Sequence, residues 1–274
     1  MASAATVRRQ IELSLEAKFP SALSPAARTV REVASTGVEA ADRILEGGLP
    51  VGAISEIVGP ACSGRTTLVL SFVAQRTAEG SVCAWVDVQD ALDPESAAAN
   101  GVPLKQLLWV RCQNHLKSAQ SIQRVRAHQP QQHGLHSRVG KPWTRLDQAL
   151  RATDLLLQAG GFAAIVLDLG DTEAEHGTRI PLATWFRFRQ AADRTRCSLV
   201  LLGKAAFAQS SAALALTCSP LRAEAAGGTV LRGFTAELEK EKQRFAPGMA
   251  GKKKGPASAW SAGAAWNPEL KRRA

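Results

Sequence analysis

The sequence contains no apolar run close to the roughly 20 residues that a membrane-spanning helix needs. Its N-terminal segment carries Glu12 and Glu16 in place of an apolar signal core. It also contains no Cys-x-x-Cys pair, and several of its cysteines lie singly inside apolar runs typical of strands. These absences argue against a membrane partner, a zinc site and a disulfide framework. We expect a cytoplasmic protein with buried, reduced thiols.

Acidic residues are almost missing from the two segments that hold the positive charge. Residues 114–142 carry five cations and no acid, and residues 251–274 carry six cations and one acid, so together they account for the net charge of +10. Charge concentrated outside the core favours a polyanion, because neutralising phosphates releases counterions. We therefore predict a polyanion partner, most often nucleic acid; the alternative is a pair of solvated basic loops. The predicted contacts are Arg124, Arg126, Arg138, Lys141, Lys252, Lys253 and Lys254.

Three parts are predicted along the chain. Residues 1–36 form an amphipathic helix and a tether that is broken by prolines. Residues 37–250 form the core domain, with the basic, glutamine-rich stretch 114–142 as an insertion. Residues 251–274, rich in Gly, Ala, Pro and Lys, are predicted to be a disordered basic tail.

The core segment alternates apolar runs with helical stretches. Short aliphatic runs such as AISEIVG, VCAWVDV, AAIVLDL and SLVLLG are separated by helical patterns at 66–78, 94–100, 143–159 and 181–195. This alternation is typical of a parallel sheet covered on both faces. Beyond residue 211 two apolar segments without helices predict antiparallel strands at one edge. The predicted fold class is α/β, a mostly parallel central sheet with helices on both faces and an antiparallel edge.

The segment GPACSGRTT, residues 59–67, has the glycine spacing of a phosphate-binding loop between a strand and a helix. The backbone amides of such a turn converge on phosphate groups, and the helix N-terminus adds positive potential. The Thr66 hydroxyl can ligate magnesium, and Asp168 at the end of a buried strand can hold the water shell of the ion. The alternatives are a chance match to a loose pattern and an exposed strand-end acid.

These residues resemble the ATP-binding core of the RecA recombinase family. The resemblance is most specific at GGLPVG, at the phosphate loop and at DALDP, and it covers roughly residues 5–113 and 143–250. It implies a RecA-type P-loop fold, ATP and magnesium as cofactors, DNA as a partner, assembly into filaments or complexes, and a role in DNA repair. By this resemblance the nucleotide-binding residues are Gly59, Ser63, Gly64, Arg65, Thr66, Thr67 and Asp93.

The departures from the family pattern concern the chemistry. Arg65 stands where the family has lysine, and a planar guanidinium cannot be seated as an ammonium is. Gln89 stands at the water-activating position, where an amide cannot accept the proton. Ser96 replaces the tyrosine that stacks on adenine. Because positioning and electrostatics supply most of the catalysis of phosphoryl transfer, we expect hydrolysis to be slow or absent, and the ATP and magnesium site to be weak or vestigial.

Two features of the C-terminal half bear on assembly and function. The lysine pair that the family extends towards a neighbouring subunit's nucleotide corresponds to Lys240 and Lys242, although alternating Glu and Lys also suits an exposed edge strand. The segments after Asp168 and Gly203, where the family has DNA-binding loops, are short. An arginine-rich helix followed by an aliphatic strand and AAFAQSSAALAL is similar to the ImuA family, which acts in damage-induced mutagenesis.

Three hypotheses about function therefore stay open. The first is an ImuA-type accessory of translesion synthesis in the DNA damage (SOS) response, with weak or absent ATPase activity and a polymerase or recombinase partner. The second is a divergent recombinase, a DNA-dependent ATPase that forms filaments as a homo-oligomer on single-stranded DNA in homologous recombination and repair. The third is a non-catalytic module that docks on a recombinase through its N-terminal helix.

Overall fold

The computed structural model describes residues 29–112, 144–173, 175, 180–226, 230–247 and 259–263. The strands of these residues are β1 (Thr29–Arg31), β2 (Val33–Ala34), β3 (Leu49–Pro50), β4 (Ile54–Val58), β5 (Cys83–Asp87), β6 (Leu107–Arg111), β7 (Ala164–Gly170), β8 (Ser198–Gly203), β9 (Leu214–Cys218), β10 (Arg222–Ala226), β11 (Val230–Gln243), β12 (Phe245–Pro247) and β13 (Ala259–Gly263). The helices are α1 (Glu39–Ile44), α2 (Arg65–Ala78), α3 (Pro94–Ala99), α4 (Arg145–Ala159) and α5 (Leu182–Thr195).

One large sheet organises the described residues, with the strand order β10-β11-β9-β4-β8-β7-β5-β6 and β13 paired to β11. Every neighbouring pair from β9 to β6 is parallel. Strand β11 runs antiparallel to β9, and β10 and β13 run antiparallel to β11. The prediction of an α/β fold with a mostly parallel sheet and an antiparallel edge is confirmed.

Helices cover both faces of the sheet and explain why its central strands β5, β7 and β8 are mostly apolar. On one face, α2 packs Phe72 and its neighbours against residues that include Val166 of β7. On the other face, α4 and α5 pack against a cluster that includes Ile165 and Leu167 of the same strand. A parallel strand buried on both faces cannot alternate polar and apolar residues, so it forms a continuous apolar run.

The bounds of α2, α3, α4 and α5 lie within two residues of the predicted ones, and side-chain caps define the starts of α3 and α4. Helix α4 begins with a capping box in which the Thr144 hydroxyl accepts from the Asp147 amide at 3.1 Å and the Asp147 carboxylate accepts from the Thr144 amide at 3.0 Å. Helix α3 begins with Asp93 as its N-cap and Pro94 in its first turn.

Strands lie beyond both ends of the segment predicted as the core domain. Residues 29–34, assigned to the tether, form β1 and β2, which pair with β12 and β3 and extend the core to residue 29. Strand β13 lies inside the predicted disordered tail, where it covers part of β11. The long β11 exposes backbone groups beyond the end of β9, and β10 and β13 satisfy them. The predicted N-terminal helix and the basic insertion lie outside the described residues.

Among the described helices, none combines the length and the apolarity that crossing a bilayer requires.

The aromatic pair on the buried side of α5 gives a test of the packing. Trp185 and Phe188 meet edge to face, with ring centroids 5.9 Å apart and an interplanar angle of 87°. We expect Trp185→Ala to lower the free energy of unfolding by about 3 to 5 kcal/mol, because it leaves a cavity in the core. Phe186→Ala, on the exposed side of the same helix, should change it by only about 0.5 kcal/mol. Urea unfolding followed by circular dichroism measures both; equal losses would contradict this placement of α5.

Candidate nucleotide site

The phosphate loop links the end of β4 to the start of α2. The Gly59 amide donates to the Gly203 carbonyl of the neighbouring β8 at 3.2 Å. A Cβ atom at position 59 would lie 2.6 Å from the Cys218 carbonyl oxygen, so only glycine fits there. Gly64, the N-cap of α2, has a φ of +78°, the left-handed conformation that favours glycine. The sequence therefore folds into a tight turn that leads directly into a helix N-terminus.

Two features make this turn suited to a phosphate group. The Ser63 hydroxyl is buried and has no hydrogen-bond partner within the described residues. The amides of the first turn of α2, which include those of Thr66 and Thr67, have no acceptor inside the helix. An anion at this position would supply the missing acceptors and meet the positive end of the helix dipole. The loop residues therefore fit the phosphates of a nucleotide.

Arg65 lies across this loop and is already engaged. One guanidinium nitrogen donates to the Gly59 carbonyl of the loop itself, and Nη2 lies 3.0 Å from Oδ1 of Asp171. The Arg65 side chain is largely buried, whereas Asp171, just beyond the end of β7, is mostly exposed. The positive charge at the position of the family lysine is therefore shared with an acidic residue of the same chain.

Asp168 and Thr66, the two residues predicted to hold magnesium, lie in the last part of β7 and in the first turn of α2. Asp168 lies near the carboxyl end of β7, and its Oδ1 accepts from the Gly170 amide at 2.9 Å. Burial raises the pKa of Asp168 to about 6, and the nearby Asp87 carboxylate adds to that rise. Asp87 is its direct neighbour in the β5–β7 ladder, so two carboxylates share this edge of the sheet. A divalent cation with its water shell would offset the repulsion between them.

Gln89 lies at the same edge, beside the end of β7. A Cβ atom added at Gly170 would lie 2.6 Å from the Gln89 side-chain carbon Cδ, so the amide rests directly against that glycine. Gly170 has a φ of +57°, and the chain turns sharply there towards Asp171. The structure thus brings together the ends of β4, β5 and β7, as expected for a site at the carboxyl edge of a parallel sheet.

The sequence analysis missed Asp87, which holds the loop containing Gln89. Its buried carboxylate accepts from the amides of Gln89 at 3.1 Å, Asp90 at 2.7 Å and Leu92 at 2.8 Å. A signal for it was present, because a carboxylate that ends an apolar strand and begins a tight loop is suited to accept the amides of that loop. Asp87 fixes the backbone of the loop and thereby the position of Gln89.

The remaining acids of this loop have partners of their own. The Asp90 carboxylate forms two bonds to Arg111, at 2.5 and 2.8 Å, and Arg111 stacks on the Trp109 ring; this pairing lowers the pKa of Asp90. Asp93, predicted to contact the base, accepts from the amide and the hydroxyl of Ser96 as the N-cap of α3. The hydroxyl that replaces the family tyrosine therefore bonds to the residue predicted to contact the base.

Lys240 and Lys242 point to opposite faces of the sheet. A bulge at Glu241 shifts the register of β11, so that Lys240 pairs with Leu216 and Lys242 pairs with Ala215. Because Leu216 and Ala215 are consecutive residues of β9, they face opposite sides of the sheet, and so do the two lysines. Lys240 Nζ donates to the Ile44 carbonyl and the Glu46 carboxylate, both at 3.0 Å. Burial is the main cause of the lowered pKa of Lys242, and the positive charge of the nearby Arg244 lowers that pKa further. A joint contact with a neighbouring subunit's nucleotide stays a prediction, and within this chain the two lysines have different surroundings.

Buried Glu56 of β4 organises the segment after β8. Its carboxylate accepts from the amides of Phe207 and Ala208, the latter at 2.9 Å, and burial is the main cause of its raised pKa. Lys204 at the start of this segment pairs with Glu173 at 3.1 Å. The ten-residue connection from β8 to β9 is therefore fixed to the core. The seven predicted DNA contacts, from Arg124 to Lys254, lie outside the described residues.

A glycine turn between a buried strand and a helix, at the carboxyl edge of a parallel sheet with an acid from a second strand beside it, defines the P-loop class of α/β proteins. Residues 10–125 match the family model of the RecA N-terminal domain. The core of this chain is RecA-like, as the sequence motifs predicted.

Relatives named Protein RecA share this core. The one from Crocosphaera subtropica is 44% identical over 102 residues, which cover 37% of this chain and 29% of the relative. The one from Allorhizobium ampelinum is 34% identical over 158 residues, which cover 55% of this chain and 35% of the relative. The one from Ruegeria pomeroyi is 29% identical over 188 residues, which cover 63% of this chain and 45% of the relative. The chain thus spans less than half the length of these relatives.

The raised pKa of Asp168 predicts a pH-dependent change in stability. Because its folded-state pKa of about 6 exceeds the ordinary 3.8, the folded chain binds this proton more tightly, and stability falls as pH rises through that window. We expect Asp168→Asn to be more stable than the parent chain by up to about 3 kcal/mol at pH 8 and by much less at pH 4.5. Urea unfolding without nucleotide measures this, with exposed Glu241→Gln as the control; a gain independent of pH would contradict it.

Proposed function

We propose that this chain is a RecA-like protein that binds ATP with magnesium weakly and hydrolyses it slowly or not at all. The observation that carries this proposal is the position of Arg65. The loop keeps its glycines and its unpartnered Ser63 hydroxyl, yet the guanidinium bonds to the Gly59 carbonyl and to Asp171. A nucleotide must either displace these bonds or bind to a charge that Asp171 already partly neutralises, and both lower its affinity.

The surroundings of Gln89 support slow hydrolysis. An amide can orient a water molecule but cannot take its proton as a carboxylate does. The neighbouring carboxylates are each bound elsewhere: Asp87 by three loop amides, Asp90 by Arg111 and Asp171 by Arg65. Within the described part of the chain, no carboxylate next to Gln89 is left without such a partner. The magnesium position formed by Thr66 and Asp168 would then serve binding more than turnover.

We further propose that the chain binds DNA and acts through protein partners in the DNA damage response, as an ImuA-type accessory of translesion synthesis. The basic segments 114–142 and 251–274 would supply the electrostatic contact. The short segment from β8 to β9 favours an accessory over a divergent recombinase, because Glu56 fixes it where the family has a glycine-rich DNA loop. The other two candidates are a filament-forming DNA-dependent ATPase and a module that docks on a recombinase.

Calorimetry and phosphate release together test the nucleotide proposal. With ATP and magnesium we expect measurable binding and a flat baseline of phosphate release, with and without single-stranded DNA. Arg65→Lys should bind ATP at least several-fold more tightly, because an ammonium group loses the two-partner arrangement of the guanidinium. Phosphate release that DNA stimulates, and that Asp168→Ala abolishes while exposed Glu241→Ala does not, would contradict slow hydrolysis and favour the recombinase.

The salt dependence of DNA affinity tests the basic segments. Replacing the seven predicted contacts, from Arg124 to Lys254, by glutamine should lower the slope of log affinity against log salt by up to about 5, at about 0.7 for each phosphate on a single strand. Fluorescence anisotropy of a labelled oligothymidylate, titrated at salt concentrations from about 50 to about 200 mM, measures this slope. Lys105→Gln, outside both segments, is the matched control. An unchanged slope would mean that the segments are solvated loops.

A further inference from the structure

A second concave site lies at the amino-terminal edge of the sheet, away from the phosphate loop. Ala53 and Ile54 at the start of β4 and Ala212 and Ala213 just before β9 form its floor. The loop that begins at Gly59 follows the other end of β4, four residue rises or roughly 13 Å away. The two sites therefore belong to opposite edges of the same sheet and cannot share a ligand group.

Three arginines surround this cavity of about 190 Å3, and no acidic residue lines it. Arg31 is held at 2.8 Å from Asp193 and donates to the Gly52 carbonyl at 3.0 Å. Arg244 donates to the Ser210 carbonyl at 2.8 Å. Arg189 of α5 is exposed and has no hydrogen bond or ion pair within the described residues. Even with Asp193 counted, the site keeps a net positive charge of about two, and such an excess attracts an anion.

A buried hydroxyl in the same lining lacks a partner. Ser211 is almost fully buried, and its Oγ makes no hydrogen bond to any described residue. A buried polar group without a partner costs free energy, so a native structure normally supplies one from a ligand, an ion or water. After rotation about its Cα–Cβ bond, the Ser211 hydroxyl group can donate to an oxyanion in the cavity that this residue lines. This observation is independent of the arginines and points to the same kind of ligand.

We propose that this pocket binds a phosphate group, either free phosphate or a phosphodiester of a nucleic-acid backbone. Guanidinium groups match the geometry of phosphate oxygens, and Arg189 is free to form such a bond while Arg31 and Arg244 are held in place. The cavity is smaller than the ~300 Å3 at which sites for drug-sized ligands begin, which suits a single phosphate without its base or sugar. The pocket is a site in addition to the nucleotide loop and does not depend on ATP binding.

Nuclear magnetic resonance titration of the full chain with inorganic phosphate, at constant ionic strength, tests this site. Backbone amides of Ser211 and Ala212 report on the pocket, and those of Thr66 and Thr67 report separately on the nucleotide loop. We expect saturable shifts at Ser211 and Ala212 that weaken about tenfold or more in Arg189→Gln and in Ser211→Ala, as the loss of one charged or buried hydrogen bond predicts. Arg194 of α5 also has no partner among the described residues but lies outside this pocket, so Arg194→Gln should leave these shifts unchanged.

Further arms identify the source of the phosphate. If the phosphate comes from a nucleic acid, a short oligothymidylate should shift the same amides and bind with higher affinity than inorganic phosphate. Arg189→Gln should lower the affinity for both ligands. If the ligand is free phosphate, only inorganic phosphate should shift these amides. Acetate that binds as tightly as phosphate, or phosphate shifts confined to Thr66 and Thr67, would overturn the proposal. Shifts that Arg189→Gln and Ser211→Ala leave intact would overturn it as well.

Discussion

The parallel register of β4, β8, β7 and β5 is the constraint on which the site depends. Each of these strands is buried on both faces, so its position is fixed by packing against α2 on one side and α4 and α5 on the other. Parallel pairing brings their carboxyl ends to one edge, and backbone bonds such as Val88 to Asp168 join the loops that follow. The apolar core thus determines which polar residues meet, although none of those residues contributes much to it.

At that edge the arrangement combines an intact phosphate turn with altered charges. Gly59, Ser63 and Gly64 keep the geometry of the turn, because their constraints come from the backbone and from close contacts. Arg65, Gln89 and the pairing of Asp171 change the charges and the side-chain hydrogen bonds at the turn, whereas its backbone conformation is kept. Shape and charge are therefore separable in this fold, and the shape persists because the core requires the same turn whether or not a nucleotide is hydrolysed.

The central strands and helices could be predicted because their residues carry the pattern themselves. Strands β10 and β13 could not, since a segment such as RAEAA contains no large apolar or β-branched residue and pairs only because β11 leaves an edge uncovered. The residues of the phosphate loop were predictable from spacing. The direction of the Arg65 side chain was not, because its partner Asp171 is 106 residues away in the sequence. The bulge at Glu241 depends likewise on pairing with β9.

The clustering of carboxylates around Asp87 also bears on how such a site changes over time. Asp87 and Asp168 are direct partners across β5 and β7, and their mutual repulsion contributes to the raised pKa of Asp168. A glutamate at position 89 would add a third negative charge beside them. The repulsion among the three carboxylates would be reduced only when a metal and a nucleotide are bound. Once tight binding is weakened, glutamine at this position stabilises the empty protein. Under the proposed function, a glutamate restored at this position would improve the chemistry only after the binding charges had been restored.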